Sequence, residues 1–149
     1  MIIKEISIDD VKYMNEIIEM EKSTFGKLGG VDLWILKPII NFGKVFVVLE
    51  NDKVIGAAEF LISFDSPHAF LYGISIHNLY QNKGIANSLL KFCANYFLKK
   101  GIINISLTVD PKNIKAIFLY KKNDYHITSL KENEYGKGIH RFIMEKKLS

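Results

Sequence analysis

Residues 74–90 read ISIHNLYQNKGIANSLL. An alternating apolar run, Ile74-Ser75-Ile76, breaks at His77-Asn78 and crosses Gln81-Asn82-Lys83-Gly84-Ile85-Ala86. Beyond it Ile85, Ala86, Leu89, Leu90 and Cys93 recur on one helical face. A strand, a short polar turn and a helix start in that order make backbone N–H groups converge at the positive end of a helix dipole. That arrangement suits an anion such as a phosphate. Gly84 lets the backbone approach a bulky group closely, and Ala86 keeps the next turn nearly as slim. The N–H groups of residues 82–86 are expected to do most of the holding.

The rest of the chain must place this stretch. It has 149 residues, long enough for a core and expected to form one domain over 1–149. Apolar residues make up 48% and charged ones 24%, the balance of a soluble globular protein. No apolar run reaches membrane-spanning length, and the opening MIIKEISIDD turns acidic too early for a signal peptide. One cysteine allows no internal disulfide and fits a reducing cytoplasm. The net charge is +4, yet Arg141 is the sole arginine and the lysines are scattered. A nucleic-acid reader would cluster them with aromatic residues, so no nucleic-acid partner is expected. Salt-dependent binding to random duplex would be the mark of that alternative.

Ile2 to Ile6 reads as a strand, and Ser7 as the N-cap of a helix carrying Val11, Met14, Ile17 and Ile18. Residues 25–30, FGKLGG, break that helix. They lack the Lys-Ser/Thr ending of a P-loop and read as a connector. A second helix over Leu33 to Phe42 is expected to begin or break near Pro38. Lys44 to Glu50 and Lys53 to Ser63 read as strands joined by an Asn51-Asp52 hairpin, and Ala69 to Ile76 as the next strand. The helix from Gly84 should stop at Gly101, Ile103 to Val109 should be a strand, and Asn113 should cap a helix to Lys122. Ile127 to Lys131 and Ile139 to Lys147 form a terminal hairpin. The order βααβββαβαββ predicts an α+β fold of mixed α/β layers.

Gln81-x-x-Gly84-x-Ala86 resembles the Q/R-x-x-G-x-G/A signature of the GNAT superfamily of acyl-CoA N-acyltransferases. A second segment, Asn113-x-x-Ala116-x-x-Leu119-Tyr120-Lys121-Lys122-x-x-Tyr125, is similar to that family's N-x-x-A-x-x-L-Y-x-x-x-G-F, with Asp124 and Tyr125 in place of Gly and Phe. The resemblance implies a mixed, mostly antiparallel sheet of about six to seven strands flanked by about four helices. It implies a gap between two parallel strands, here 69–76 and 103–109, in which acetyl-CoA lies as co-substrate. A homodimer is allowed by the same resemblance.

The implied reaction moves an acetyl group from the thioester directly to a primary amine of a small molecule, polyamine or peptide. Residues 82–86 would hold the pyrophosphate, after Gln81, and the strand edge at Ile74 and Ile76 would pair with pantetheine amides. An N–H near Ile74 or Ser75 would face the developing oxyanion. Asn113 would cap its helix and hydrogen-bond the pantetheine arm. Tyr120 matches the family's proton donor to the departing thiolate, although it also reads as a core tyrosine beside Ile117. Glu59 stands in the apolar run Gly56-Ala57-Ala58-Glu59-Phe60-Leu61-Ile62. Facing inward, it would have a raised pKa and suit a general base; facing outward, it is a surface acid. Asp65, His68 and Tyr72 are further candidates, as is a water chain. Cys93 reads as packing, and His77, His126 and His140 lack metal-ligand spacing, so no metal is expected. An acyl-CoA sensor without turnover is the alternative function. The acceptor pocket falls to Glu21 to Phe42, Ser63 to His68 and Lys131 to Gly138, which do not name the amine.

Overall fold

The structure is a computed structural model that describes residues 1–26 and 29–149. Lys27 and Leu28, in the expected connector, lie outside the described residues. The elements run β1 (Ile2–Glu5), α1 (Val11–Phe25), α2 (Leu33–Phe42), β2 (Gly43–Glu50), β3 (Lys53–Ile62), β4 (His68–Ile76), a 3₁₀ turn (Asn78–Tyr80), α3 (Ile85–Lys99), β5 (Asn104–Val109), α4 (Ile114–Lys122), β6 (His126–Lys131) and β7 (Arg141–Lys147). The strands form one seven-stranded sheet in the order β1-β2-β3-β4-β5-β7-β6. Every pairing is antiparallel except β4 with β5.

The two central strands read as unbroken apolar runs because both faces of the sheet are covered. On one face Val45, Val47, Leu49, Val54 and Ala57 pack against Met14, Ile17 and Met20 of α1 and Leu36 and Ile39 of α2. On the other, Phe46, Val48, Ala58 and Phe60 meet Leu89, Leu90, Cys93 and Phe97 of α3. Phe46 is the hub of this second core. Its ring lies edge-on to those of Phe60, Phe92, Tyr96 and Phe97 at centroid distances of 4.9–5.9 Å, a favoured aromatic geometry.

The parallel pair is short. His68, Ala69 and Phe70 pair with Asn104, Ile105 and Ser106, and pairing stops there. The cause is in β4. Glu59 of β3 faces Gly73 while Phe60 faces Leu71, so Tyr72 is an extra residue on β4. A bulge of this kind bends its strand and sharpens its twist, and here it carries β4 away from β5. At the closed end, His68 Nε2 and Ser106 Oγ lie 2.7 Å apart across the two strands.

Two local expectations need revision. Ser7 does not cap α1; Asp10 holds that position, and its carboxylate instead accepts from the Ser7 N–H at 2.8 Å. Helix α2 runs straight through Pro38, with Asp32 as its cap, accepting from the Ile35 N–H at 2.9 Å. The carbonyl that Pro38 leaves without a donor belongs to Trp34, which is 89% exposed and so in reach of water. The expected hairpin turn is present, with Asn51 and Asp52 at φ 50° and 63°, as a two-residue turn of the primed class requires. Asp124, where the signature has glycine, also takes a positive φ of 67°.

Phe46 pins α3 to the sheet, so Phe46→Ala should destabilise the fold by about 3–5 kcal/mol. Denaturant unfolding measures this; a loss below about 1 kcal/mol would contradict the hub assignment.

Candidate active site

A cleft of about 850 Å³ opens where β4 and β5 part. It passes through the sheet. Gln81, Asn82, Gly84, Ile85, Ala86, Asn87, Asn113 and Tyr120 line the side under α3 and α4, and Glu21, Gly30, Val31, Glu59 and Tyr72 line the side under α1.

On the first side, Gly84 is the residue from which α3 starts, at φ 78° and ψ 8°. A side chain added there would meet nothing within 4 Å, so the space beside it is free. Ser88 is the first residue of the helix whose N–H finds a carbonyl, that of Gly84 at 3.1 Å. The N–H groups of Ile85, Ala86 and Asn87 therefore have no intrahelical acceptor. The Ile85 side chain is buried in the core and Lys83 lies over the Tyr80 ring, so only the backbone of this segment is offered to a ligand at these two residues. Gln81 works differently. Its Nε2 donates to the Ile76 carbonyl at 3.1 Å and to Asn78 Oδ1 at 3.2 Å, which fastens the turn to the end of β4.

The strand edge follows from alternation. His77 N–H donates to the Ile55 carbonyl. With the observed register, Ser75 and Gly73 also direct their backbone groups to β3, and Ile74 and Ile76 direct theirs into the gap. The Ile74 amide and the Ile76 N–H are thus the groups free for a ligand. Ser75 contributes through its side chain instead, donating to Glu21 Oε2 at 3.1 Å.

Asn113 Oδ1 accepts from the Ala116 N–H at 3.1 Å, which makes it the cap of α4 and leaves its Nδ2 to donate elsewhere. Asn123 Nδ2 bonds Asn87 Oδ1 at 2.9 Å and ties α4 to α3. This link holds Tyr120 in place. Tyr120 is 8% exposed and its ring lies 5.8 Å from that of Tyr125. Burial pushes its phenol up to about 12, with Arg141 pulling slightly the other way, so it is a proton donor at neutral pH.

Glu59 faces inward. It is 1% exposed, and neither carboxylate oxygen has a hydrogen-bond partner among the described residues. Burial, then the nearby charge of Glu21, raises its pKa well above the ordinary value. Of the other candidates, Tyr72 lines the cleft, His68 is spent on Ser106, and Asp65 is an exposed residue away from the cleft. Burial leaves the Cys93 thiol an inert packing group, its pKa pushed up. Among the described residues no cluster of His, Cys, Asp or Glu could hold a metal, and no helix is long and apolar enough to cross a membrane.

Two residues escaped the sequence reading. Glu21 appeared there only as the start of a pocket-shaping stretch. It is 3% exposed, and its Oε1 accepts from the Val31 N–H at 3.0 Å. Its position four after Ile17 and seven after Met14, both buried, was the available signal. Arg141 donates to Thr108 Oγ1 at 3.2 Å and to the Thr108 carbonyl at 3.0 Å, and stacks over Tyr135.

A raised carboxyl has a consequence for stability. The folded protein keeps a proton on Glu59 that the unfolded chain releases above about 4.5, the ordinary value. The Glu59 contribution is whole below that value and is lost as pH rises through the folded-state value. Glu59→Gln should therefore melt at a higher temperature than the parent at neutral pH, by a margin that shrinks on acidification. Thermal melting of both proteins across pH tests this; a margin that does not change with pH would contradict it.

The model of the Acetyltransferase (GNAT) family matches residues 14–125. No curated protein matches the chain in sequence. Among solved structures, Ard1 from Thermoplasma volcanium superposes with a TM-score of 0.86 at 15% identity, over 99% of this chain and 97% of that one. An aminoglycoside 6'-N-acetyltransferase complexed with coenzyme A gives 0.85 at 15%, over 100% and 98%. The ribosomal-protein-S18-alanine N-acetyltransferase from Escherichia coli gives 0.83 at 20%, over 99% and 94%. Identities this low establish a shared fold. With the family model covering most of the chain, the chain that forms this cleft belongs to the Acetyltransferase (GNAT) family.

Proposed function

We propose that the chain transfers the acetyl group of acetyl-CoA directly to a primary amine. The observation that carries this reading is the gap itself. Free backbone N–H groups at the start of α3, an unpaired strand edge, a buried acid and a buried phenol all border one cleft. The neighbouring aminoglycoside enzyme complexed with coenzyme A is consistent with it.

Acetyl-CoA supplies an activated acyl group as a thioester. The residues of the chain divide the remaining work. The N–H groups of Gly84, Ile85, Ala86 and Asn87 hold the pyrophosphate at the positive end of α3, where the open space beside Gly84 admits it. The backbone of Ile74 and Ile76 takes the pantetheine arm as an added strand, and Asn113, whose Oδ1 caps α4, donates to that arm through Nδ2. Ser75 keeps its side chain on Glu21 and so holds that acid rather than the cofactor. An amine with pKa near 10 must be neutral to attack, and Glu59 removes its proton. The Ile74 N–H faces the carbonyl oxygen as charge develops there. Tyr120 offers its hydroxyl hydrogen to the departing sulfur. The neighbours named above act on an aminoglycoside and on a ribosomal-protein alanine, so small polyamines and peptide N-termini are both in the acceptor class to be screened. A turnover assay with acetyl-CoA across amines, amino acids and short peptides tests the reading; no acetylated product from any of them would overturn it.

Gly84→Val should lower acetyl-CoA affinity at least about tenfold, because the branched side chain fills the phosphate space. The positive φ it must adopt would also cost about 1–2 kcal/mol of stability. Calorimetric titration of the folded variant decides this, and unchanged affinity would remove the cradle. Tyr120→Phe keeps the ring and loses the hydroxyl, so acetyl-CoA affinity should stay near the parent's while kcat falls about 10²-fold. A parent-like kcat, with chemistry limiting, would return Tyr120 to a packing role.

A further inference from the structure

Two acids share the interior on the α1 side of the cleft, and they are held very differently. Glu21 has a donor on each oxygen: the Val31 N–H at 3.0 Å on Oε1 and the Ser75 hydroxyl at 3.1 Å on Oε2. Glu59 has a donor on neither. The first is 3% exposed and the second 1%, and both line the cleft. A glycine lies beside each acid, and beside Glu21 a side chain there would intrude. A Cβ on Gly30 would stand 2.7 Å from Glu21 Cβ, and one on Gly73 would stand 3.7 Å from Glu59 Oε2. No lysine or arginine among the described residues acts on Glu59. Val45 lies opposite it on β2, and the phenol facing it from β4 belongs to Tyr72, which in turn feels Asp32 and Tyr135.

Two neighbouring carboxyls in a low-dielectric interior do not both ionise readily. The charge rests where the donors are, on Glu21, and the proton rests on Glu59. A pair kept only for structure would be replaced at a gain in stability by apolar or amide side chains. What the bare oxygens of Glu59 lack is a cation that brings its own N–H donors.

We propose that Glu21 and Glu59 act as one carboxyl pair that shares a single proton at rest, draws the acceptor in as an ammonium ion and takes the proton it must lose before attack. This rests on the acetyltransferase reading. The step balances simply. The entering ammonium displaces the resting proton to solvent; with both carboxyls then ionised, an N–H bond of the ammonium breaks, an O–H bond forms on Glu59, and the nitrogen keeps the electron pair with which it attacks. The pair is left with one proton, which is its resting state. Glu21 is the positioning residue: its fixed charge raises the basicity of Glu59. The acceptor class is accordingly an aliphatic amine, cationic at neutral pH, and not an arylamine, which is already uncharged there and gains nothing from the pair's charge.

The test follows the carboxyls directly. Carbon-13 NMR of glutamate-labelled protein, titrated without substrate, should show one carboxyl changing state above the usual carboxylate range. That signal should be absent in Glu59→Gln and shifted down by at least about one pH unit in Glu21→Gln. The acid limb of kcat/KM with an aliphatic amine should move by the same amount in Glu21→Gln, while acetyl-CoA affinity stays at the parent value. An unmoved signal and limb in Glu21→Gln would overturn the pair. Glu21→Met serves if Glu21→Gln does not fold. The parent alone also decides: a Glu59 carboxyl that changes state within the usual carboxylate range would overturn the pair. Failure of the parent to acetylate any amine would remove the acetyltransferase reading, and the NMR titrations of parent and Glu21→Gln would still settle whether the carboxyls are coupled.

Discussion

The extra residue that β4 carries at Tyr72 governs the geometry on both sides of the cleft. A parallel pair of strands would otherwise stay hydrogen-bonded along its length, and the amides of Ile74 would be spent on β5. The bulge bends β4 as soon as the three bridges at 68–70 have formed. It also shifts the alternation of side chains. Ala69 and Leu71 point to the α3 face before it, and Ile74 and Ile76 do so after it. Ser75 is thereby turned to the α1 face, where its hydroxyl reaches Glu21. One residue thus opens the gap, frees the strand edge and builds the acidic side of the site. The His68–Ser106 contact keeps the far end shut, so the opening is a wedge and not a separation of two half-sheets.

The wedge connects two cores of unlike character. The α3 face is aromatic and aliphatic throughout, with Phe46 at its centre. It makes a rigid seat for a helix whose first N–H groups must point at a fixed place. Among the described residues the buried α1 face is apolar except for Glu21, Glu59 and Ser75. Burying a carboxyl without a partner costs free energy that apolar packing would not. Such losses gather at sites where a perturbed acid is useful, and here the loss sits at the edge of the cleft between β4 and β5.

The order of the elements was legible because each boundary carries its own local chemistry. Asn51-Asp52 accepts the positive φ of a tight hairpin, Gly101 ends α3, and Asn113 caps α4. Gly84 belongs to the same class: a left-handed residue at a helix start is a local event. Where competing local partners exist, the sequence is ambiguous. Ser7 and Asp10 are both good caps, and the Asp10 carboxylate reaching back to the Ser7 N–H settles it for Asp10. Pro38 reads as a break unless the exposure of Trp34 is known. Burial of Glu59 was harder still. Its neighbours Ala57 and Ala58 are apolar on opposite faces, so alternation gives no direction. The face is decided by α1, packed from elsewhere in the chain, and by the bulge in β4. That bulge leaves a trace, the break between the pairs 69, 71 and 74, 76, readable only once both pairs are known to share a face. The partnership of Glu21 with Ser75, separated by 54 positions, has no local trace at all.

Electrostatics also limits what Tyr120 does in the proposed reaction. A buried phenol near 12 faces a thiolate whose conjugate acid lies near 8.5, an ordinary thiol value. Full transfer between them is uphill by about 5 kcal/mol. A complete proton transfer ahead of bond breaking is therefore a poor route. A hydrogen bond to the sulfur as charge grows on it carries no such penalty and strengthens as the carbon–sulfur bond lengthens. Arg141, which lowers the phenol slightly, acts in the same direction. For Glu59 the shift has the opposite effect: burial makes it a better base by bringing its pKa up toward that of the ammonium. The same desolvation therefore helps one group and restrains the other. The proton taken at the start crosses outright, and the one offered at the end is shared. This places the greater chemical demand on the acidic side of the sheet.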